Sequence, residues 1–450
     1  MSPERSYRRA LVWFRRDLRT SDSVPLYHAA RDAGELLPLF IFDETILSAL
    51  PDNDPRTGFL AEGIQAFAHD MKSLGASLAV FAGNPREIIP KLLIRHGIEA
   101  LYLARSHSAA AMKLDAEIAR FCSEHAIAVH AFEDTLLVAP EAIAAKKVFT
   151  PFFRHWAAAD KQSPLPRIRK IRGMNIRSES LQTILERHRP STHSWPADGW
   201  IQRLKQFDVC TYPETRNFPA LDGTSRLSPY LRFGLLSIRQ LHDRILRQAT
   251  SACSVDTFVS ELAWREFWYH IMHHFPDTRT LEFQEKRRGL SWRYDAALFA
   301  AWREGRTGYP IVDAGMRQLR QEGWMHGRVR MIVASFLTKD LLMDWRLGEK
   351  HFADLLYDYD ENVNIGNWQW SASVGADPKP LRIFSPILQS QRFDPQARYI
   401  KQYVPELKDE LPVRIHDPLK YRLAYFEPVV DHREMSRRAK LLYAGKRSSG

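Results

Sequence analysis

The sequence predicts an α/β N-terminal domain built on a five-stranded parallel sheet, followed by a large all-α C-terminal domain. Three observations carry that reading. Short apolar runs alternate with amphipathic stretches through the first 130 residues, a pattern that parallel sheets covered by helices produce. Strand signals nearly vanish beyond residue 200, where helical periodicity takes over. Eight of the 12 tryptophans fall between Trp264 and Trp370, giving the helical half a bulky core or a seat for a flat aromatic group.

In chain order, Ala10–Phe14, Leu37–Phe42, Ser77–Phe81, Ala100–Leu103 and Ile127–Ala131 are the expected strands. Gly58–Leu74 and Ala109–Phe121 are among the helices between them. No G-x-G-x-x-G or P-loop pattern follows the first strand, which argues against a standard dinucleotide or P-loop role. From about 135 to 200 the pattern weakens, and Pro164–Gly173 reads as a basic, solvated linker. Helices are expected over Ser254–His274, Pro310–Glu322 and Met331–Trp345. The boundaries are 1–134 for the α/β domain, 135–200 for the linker and 201–450 for the helical domain.

Composition narrows the function. At 450 residues, 45% hydrophobic and 26% charged, the chain is ordinary globular protein. No run is long enough for a membrane span, and the N-terminus has no apolar stretch suited to a signal peptide. Three scattered cysteines give no metal spacing and no disulfide framework, pointing to a reducing compartment. Residues 1–130 carry 15 Lys and Arg against 16 Asp and Glu, the remainder 49 against 37. A polyanion would therefore dock on the back part. No H-E-x-x-H or G-x-S-x-G pattern supports a metal or serine hydrolase, and no metal site is expected.

Glu261, Trp264, Arg265 and Trp268 share one helical face at i, i+3, i+4 and i+7. Their plain reading is a Glu–Arg pair beside two core tryptophans; the functional one is a pocket wall that stacks a nucleobase and binds its edge. In 358–370, three acids and three asparagines lead into Trp368 and Trp370. A capped helix start explains the acids but not the tryptophans. Thr224–Ser228 reads as a helix start after a turn, with hydroxyls and free N–H groups suited to a phosphate.

Taken together these stretches resemble the photolyase/cryptochrome flavoproteins. The matching segments are LVWFRRDLRTSD at 11–22, VFTPFFRHW at 148–156, GTSRLSPYL at 223–231 and ELAWREFWYH at 261–270. WREGRTGYPIVDAGMRQL at 302–319, GWMHGRVRMIVASFLTKDLLMDW at 323–345 and NIGNWQWSASVGADPKPLRIFSP at 364–386 follow in the family's order. The resemblance implies a Rossmann-like antenna domain, a connector and a helical FAD-binding domain. It is closest to the cyclobutane pyrimidine dimer photolyases, in which photoexcited reduced FAD passes an electron to the dimer. The alternative is a cryptochrome-type blue-light photoreceptor without repair activity.

By that resemblance Tyr212, Thr224, Ser225, Arg226, Leu227 and Ser228 would hold FAD, mostly at its phosphates. Arg265, Arg330, Asp358, Tyr359 and Asp360 would surround the flavin, and Asn364 would face its N5. Glu261 would serve both cofactor and dimer. Trp264, Trp370 and Met331 would line the dimer cavity, and Arg216, Arg265, Gly327 and Arg328 would meet DNA. Flipping of the dimer out of the duplex is likewise taken from what photolyases do, not from the residues. Trp368, Trp345 and Trp292 would relay electrons between flavin and surface.

In (6-4) photolyases the segment matching His326–Met331 carries two histidines, where this chain has Gly327 and Met331. Asn364 is the repair-type residue at a place where signalling cryptochromes often carry Cys or Asp. Gly327 departs from the Asn usual in dimer photolyases, and Phe258 from a frequent Trp. Ser106–Asp115 lacks an Asn-Glu pair associated with folate, so the antenna chromophore could be methenyltetrahydrofolate, 8-hydroxy-deazaflavin, another flavin, or absent. The expected partner is UV-damaged DNA, single- or double-stranded, met by a cytoplasmic monomer of bacterial or archaeal type, with no membrane and no obligate protein partner.

Overall fold

From Ala10 onward the first strand is apolar on both faces, a pattern that requires a sheet covered on two sides. In the computed structural model, which describes residues 5–50, 54–188, 195–378 and 381–445, that covering is present. Strands β1 (Tyr7–Phe14), β2 (Ala33–Asp43), β3 (Ala79–Gly83), β4 (Ala100–Ala104) and β5 (Ala128–Phe132) form one parallel sheet in the order β3-β2-β1-β4-β5. Alternation along β1 divides its side chains between two cores. Ala10, Val12 and Phe14 join one, and Leu11 and Trp13 the other. All five expected strands appear, displaced by at most a few residues, because buried parallel strands announce themselves as short apolar runs.

The described residues form two compact units. One comprises Met1–Ala142, Ala159–Gln206 and Arg226–Val255; the other Ile143–Ala158, Phe207–Ser225 and Asp256–Gly450. Within the first, a closed ion network joins the sheet to the helix Ile238–Leu246. Asp134 receives Arg19 Nη2 at 2.5 Å and Arg239 Nη2 at 2.7 Å, and Arg239 Nε reaches Asp22 at 3.1 Å. The basic stretch 164–173 is not simply a solvated linker, as its charge suggested. Ile171 is buried, Leu36 N donates to Arg172 O, and Met174 N donates to Leu36 O, both at 2.8 Å. The backbone satisfies itself against β2 while the arginines stay outside.

The second unit is helical around a core that includes Trp302, Trp345, Phe352 and Trp368. Helices Asp256–His274 and Pro310–Glu322 match expectation closely. Met331–Trp345 does not form the single helical stretch expected. The helix Gly327–Ser335 runs into a π turn at Phe336–Asp340, Leu342 takes φ +54°, and Asp344 caps a new helix, Trp345–Leu355. Apolar residues flank the break on both sides, so periodicity could not register it. Inside it, buried Lys339 donates to Ser371 O and buried Asp340 meets His432 Nδ1 at 2.5 Å. Gly348 permits close approach of two helices: a Cβ there would lie 2.1 Å from the Trp368 ring.

Cys122 is a buried free thiol, whereas Cys210 and Cys253 are disulfide-bonded, against the expectation that all three would stay reduced.

Candidate active site

The helices Asp256–His274, Gly327–Ser335 and Glu361–Ser371 supply ten of the 22 expected site residues, and all three belong to the second unit. The third helix begins where it does because Asp360 caps it, its Oδ1 accepting from Asn362 N at 3.1 Å and Val363 N at 3.2 Å. The other Asp360 oxygen accepts from Tyr269 Oη. The plain reading of that acid as a helix cap therefore holds, with a second, cross-helix bond added.

Asn364 lies one turn into this helix and is 8% exposed. Its Nδ2 donates to Glu349 O at 3.2 Å and Glu349 Oε1 at 3.0 Å. Its Oδ1 has no hydrogen-bond partner among the described residues, so an amide acceptor is left open. Tyr359 Oη also donates to Glu349, at 3.4 Å. Burial pushes the Glu349 carboxyl above its ordinary range, with the Asn364 bond opposing. Nothing in the sequence singled out Glu349, because it sits on a separate helix.

Glu261 pairs with Arg216 Nη2 at 2.6 Å rather than with Arg265, its expected i,i+4 neighbour. Arg265 instead lays its guanidinium 5.1 Å from the Tyr269 ring centroid. Trp264 stacks on Phe149 with ring centroids 3.7 Å apart and planes within 6°, so Phe149, given no role beforehand, fixes the orientation of that indole. Arg330 pairs with Asp358 at 2.9 Å and donates from Nε to Met325 O. Arg328 donates to Asn217 Oδ1 at 2.6 Å, covers the Phe393 ring at 4.4 Å and reaches Met331 Sδ at 3.8 Å. Burial, then the charges of Arg216 and Arg392, lower the Arg328 pKa. Clustered guanidiniums of this kind favour an anion.

Tyr212 is buried, and its phenol is pushed up to about 12 by burial and by the Glu261 charge. Thr224 and Ser225 belong to the second unit, Arg226, Leu227 and Ser228 to the first. The helix there starts at Ser228, not at Thr224, and Arg226 takes φ +49°. Gly327 occupies the first turn of its helix, and a Cβ added there would meet nothing within 4 Å. Trp370 is half-buried and borders a shallow recess with Lys339, Arg382 and Phe384. Of the expected relay, Trp368 touches Phe352 at 5.0 Å and Trp302 at 6.2 Å; Trp345 is buried, and Trp292 packs 6.1 Å from Tyr443. Trp302 was not assigned a role from sequence.

This arrangement can hold an aromatic, hydrogen-bonding group near Asn364 and an anion near the arginines. Known proteins resemble the chain over nearly its whole length. Residues 10–169 match the DNA photolyase family model, and residues 258–445 match the FAD binding domain of DNA photolyase. A deoxyribodipyrimidine photo-lyase of Alkalihalophilus pseudofirmus is 36% identical over 471 residues, covering 96% of this chain and 97% of the relative. The class III photolyase of Agrobacterium tumefaciens superposes with a TM-score of 0.88 at 34% identity, covering 99% of each chain. The archaeal photolyase of Sulfolobus tokodaii, whose structure holds two FAD molecules, gives 0.89 at 31% identity over 97% of this chain and all of that one.

Proposed function

Because this chain belongs to the DNA photolyase family and carries its FAD-binding domain, we propose that it is a deoxyribodipyrimidine photo-lyase that splits cyclobutane pyrimidine dimers in DNA under blue light. The observation that carries the choice of lesion is the Gly327–Met331 turn. The two places that carry histidines in (6-4) photolyases hold Gly327 and Met331 here, so neither offers an imidazole for acid–base work.

The residues fit FAD. The open Oδ1 of Asn364 suits a ring N–H as acceptor, while both Nδ2 hydrogens are held by Glu349 O and Oε1 and fix the amide's orientation. The Arg330–Asp358 pair offers both charges beside an aromatic edge. Bound there and reduced, FAD would supply the light-driven one-electron chemistry that dimer splitting needs.

In this reading each side chain has a defined task. Tyr212, Thr224, Ser225, Arg226, Leu227 and Ser228 hold the dinucleotide, and Arg265, Asp358, Tyr359 and Asp360 its flavin end. Arg216 pre-orients the Glu261 carboxylate through their 2.6 Å bond, leaving the second carboxylate oxygen for the dimer. Trp264, held flat by Phe149, and Trp370 form walls on which extruded bases stack. Met331 packs at the mouth, and Arg216 and Arg328 neutralise flanking phosphates. Trp368, Trp345 and Trp292 carry electrons inward to restore the reduced flavin. Residues 1–134 serve as the antenna domain and 201–450 as the catalytic one, joined by 135–200; HPLC of extracted chromophores tests whether a second pigment is bound and which.

The deciding experiment is a blue-light repair assay with defined dimer and (6-4) substrates. Clearance of the dimer alone is expected. Flavin-loaded, fully reduced protein that leaves dimers intact in light would overturn the reading, and a light-dependent protein partner would then favour the photoreceptor. Binding to damaged DNA should weaken as salt rises, since phosphate contacts release counterions. Trp370→Ala should weaken dimer binding by about 1–3 kcal/mol while sparing FAD.

A further inference from the structure

Trp345 is buried, and its indole Nε1 donates to Glu282 Oε1 at 3.3 Å. The Glu282 side chain is only 5% exposed. Arg346 donates to the same oxygen at 2.9 Å, lies 4.6 Å from the centroid of the Trp345 ring and pairs with Asp344 at 3.0 Å. A carboxylate at the indole nitrogen and a guanidinium over the ring therefore meet one indole, with Asp344 pairing the guanidinium. Beyond them, Arg288 Nε donates to the Glu282 backbone carbonyl at 3.0 Å. Tyr443 senses the Glu282 charge, its phenol pushed up chiefly by burial, and Arg287 covers its ring at 5.2 Å. Burial would raise the Glu282 carboxyl, but the Arg346 and Trp345 hydrogen bonds hold it below the ordinary glutamate range, so it is an anion at neutral pH.

A neutral indole N–H needs only an acceptor, and an amide or a backbone carbonyl would serve. A buried anion is the costlier choice, and it gains over an amide when the ring carries positive charge. We propose that Glu282 is a tuning residue that stabilises the oxidised state of Trp345 and so draws positive charge outward from Trp368. The inference rests on the electron relay described under the proposed function. In the step concerned, one electron leaves Trp345 and fills Trp368, which has lost one toward the photoexcited flavin. Trp345 is oxidised and Trp368 reduced by one electron each; the indole proton stays on Nε1 against Glu282, and no covalent bond changes. The helices are placed for it, since Gly348, one turn beyond Trp345, lies against the Trp368 ring.

The test compares Glu282→Gln, Arg346→Gln and Trp345→Phe in the flavin-bound protein by transient absorption of oxidised tryptophan. Glu282→Gln keeps an acceptor and removes the charge, so the yield of long-lived charge separation should fall roughly three- to tenfold. Arg346→Gln removes the opposing cation, so the yield should rise. A fall in both variants, as loosened packing gives, overturns the proposal, and so does a wild-type yield in Glu282→Gln. An unchanged yield in Trp345→Phe sinks the relay itself and the tuning role with it. Independently of light, the indole ¹H–¹⁵N resonance of Trp345, identified by its absence in Trp345→Phe, should shift in Glu282→Gln. A stationary resonance removes the contact on which the inference stands.

Discussion

Two sets of arginine–carboxylate pairs, one in each unit, use the same chemistry for opposite purposes. In the first, Arg19, Arg239, Asp22 and Asp134 have side chains at most 5% exposed and close on one another. In the second, Arg216–Glu261 stands 28% and 36% exposed, and the arginine of Arg330–Asp358 is also 28% exposed. A closed buried network satisfies its charges internally and fixes a packing arrangement. A half-open one keeps hydrogen-bonding capacity for a visitor. Under the proposed function, identical residue types thus divide into architecture and site by what their remaining atoms face.

The strongest way to break this contrast is Arg239→Ala. It leaves Asp22 and Asp134 short of a buried partner and should cost about 3–5 kcal/mol in denaturant unfolding. A loss below 1 kcal/mol would mean that the network is not structural.

Asp17 sharpens the same point. Burial, then the Asp134 charge, raise its carboxyl from 3.8 to about 6. Its contribution to stability is therefore full below pH 3.8 and is lost as pH rises through 6. Between pH 4 and pH 8 the stability of Asp17→Asn relative to wild type should improve by about 2–3 kcal/mol, measured by urea titration at both pH values.

On the open side, Glu261→Gln should lower repair by an amount equivalent to about 2 kcal/mol while unfolding stays within about 0.5 kcal/mol of wild type. Equal loss of stability and repair would move Glu261 into the architectural class. The smallest effect is expected at Gly327→Asn. The added Cβ meets nothing, helix propensity improves, and a new amide reaches the mouth of the site, so dimer binding should tighten by about 1 kcal/mol in a fluorescence titration.

Much of this was legible beforehand. Buried parallel strands show as apolar runs, and Asp256–His274 shows as a periodic helix with its carboxylate, arginine and tryptophans on one face. The partners of those residues were not legible. Glu261 looked paired with Arg265 at i,i+4 and instead takes Arg216, 45 residues away. The break after Ser335 stayed hidden because an apolar pattern reports burial, not the hydrogen-bond register of the helix that carries it. Glu282 and Glu349 lie outside the matched segments and raised no signal, and Phe149 and Trp302, though inside two of them, had no assigned role, each being an ordinary residue until its neighbour is known.

Local sequence by itself determined the element types, the five strands and the family-specific segments, since propensity, periodicity and motif spacing act over a few to twenty residues. Only the tertiary structure decided which charges close on each other, which amide oxygen stays open and which indole has a carboxylate at its nitrogen. Those outcomes depend on groups far apart in the chain meeting within about 3 Å, where hydrogen bonds and Coulomb forces become large enough to choose a role.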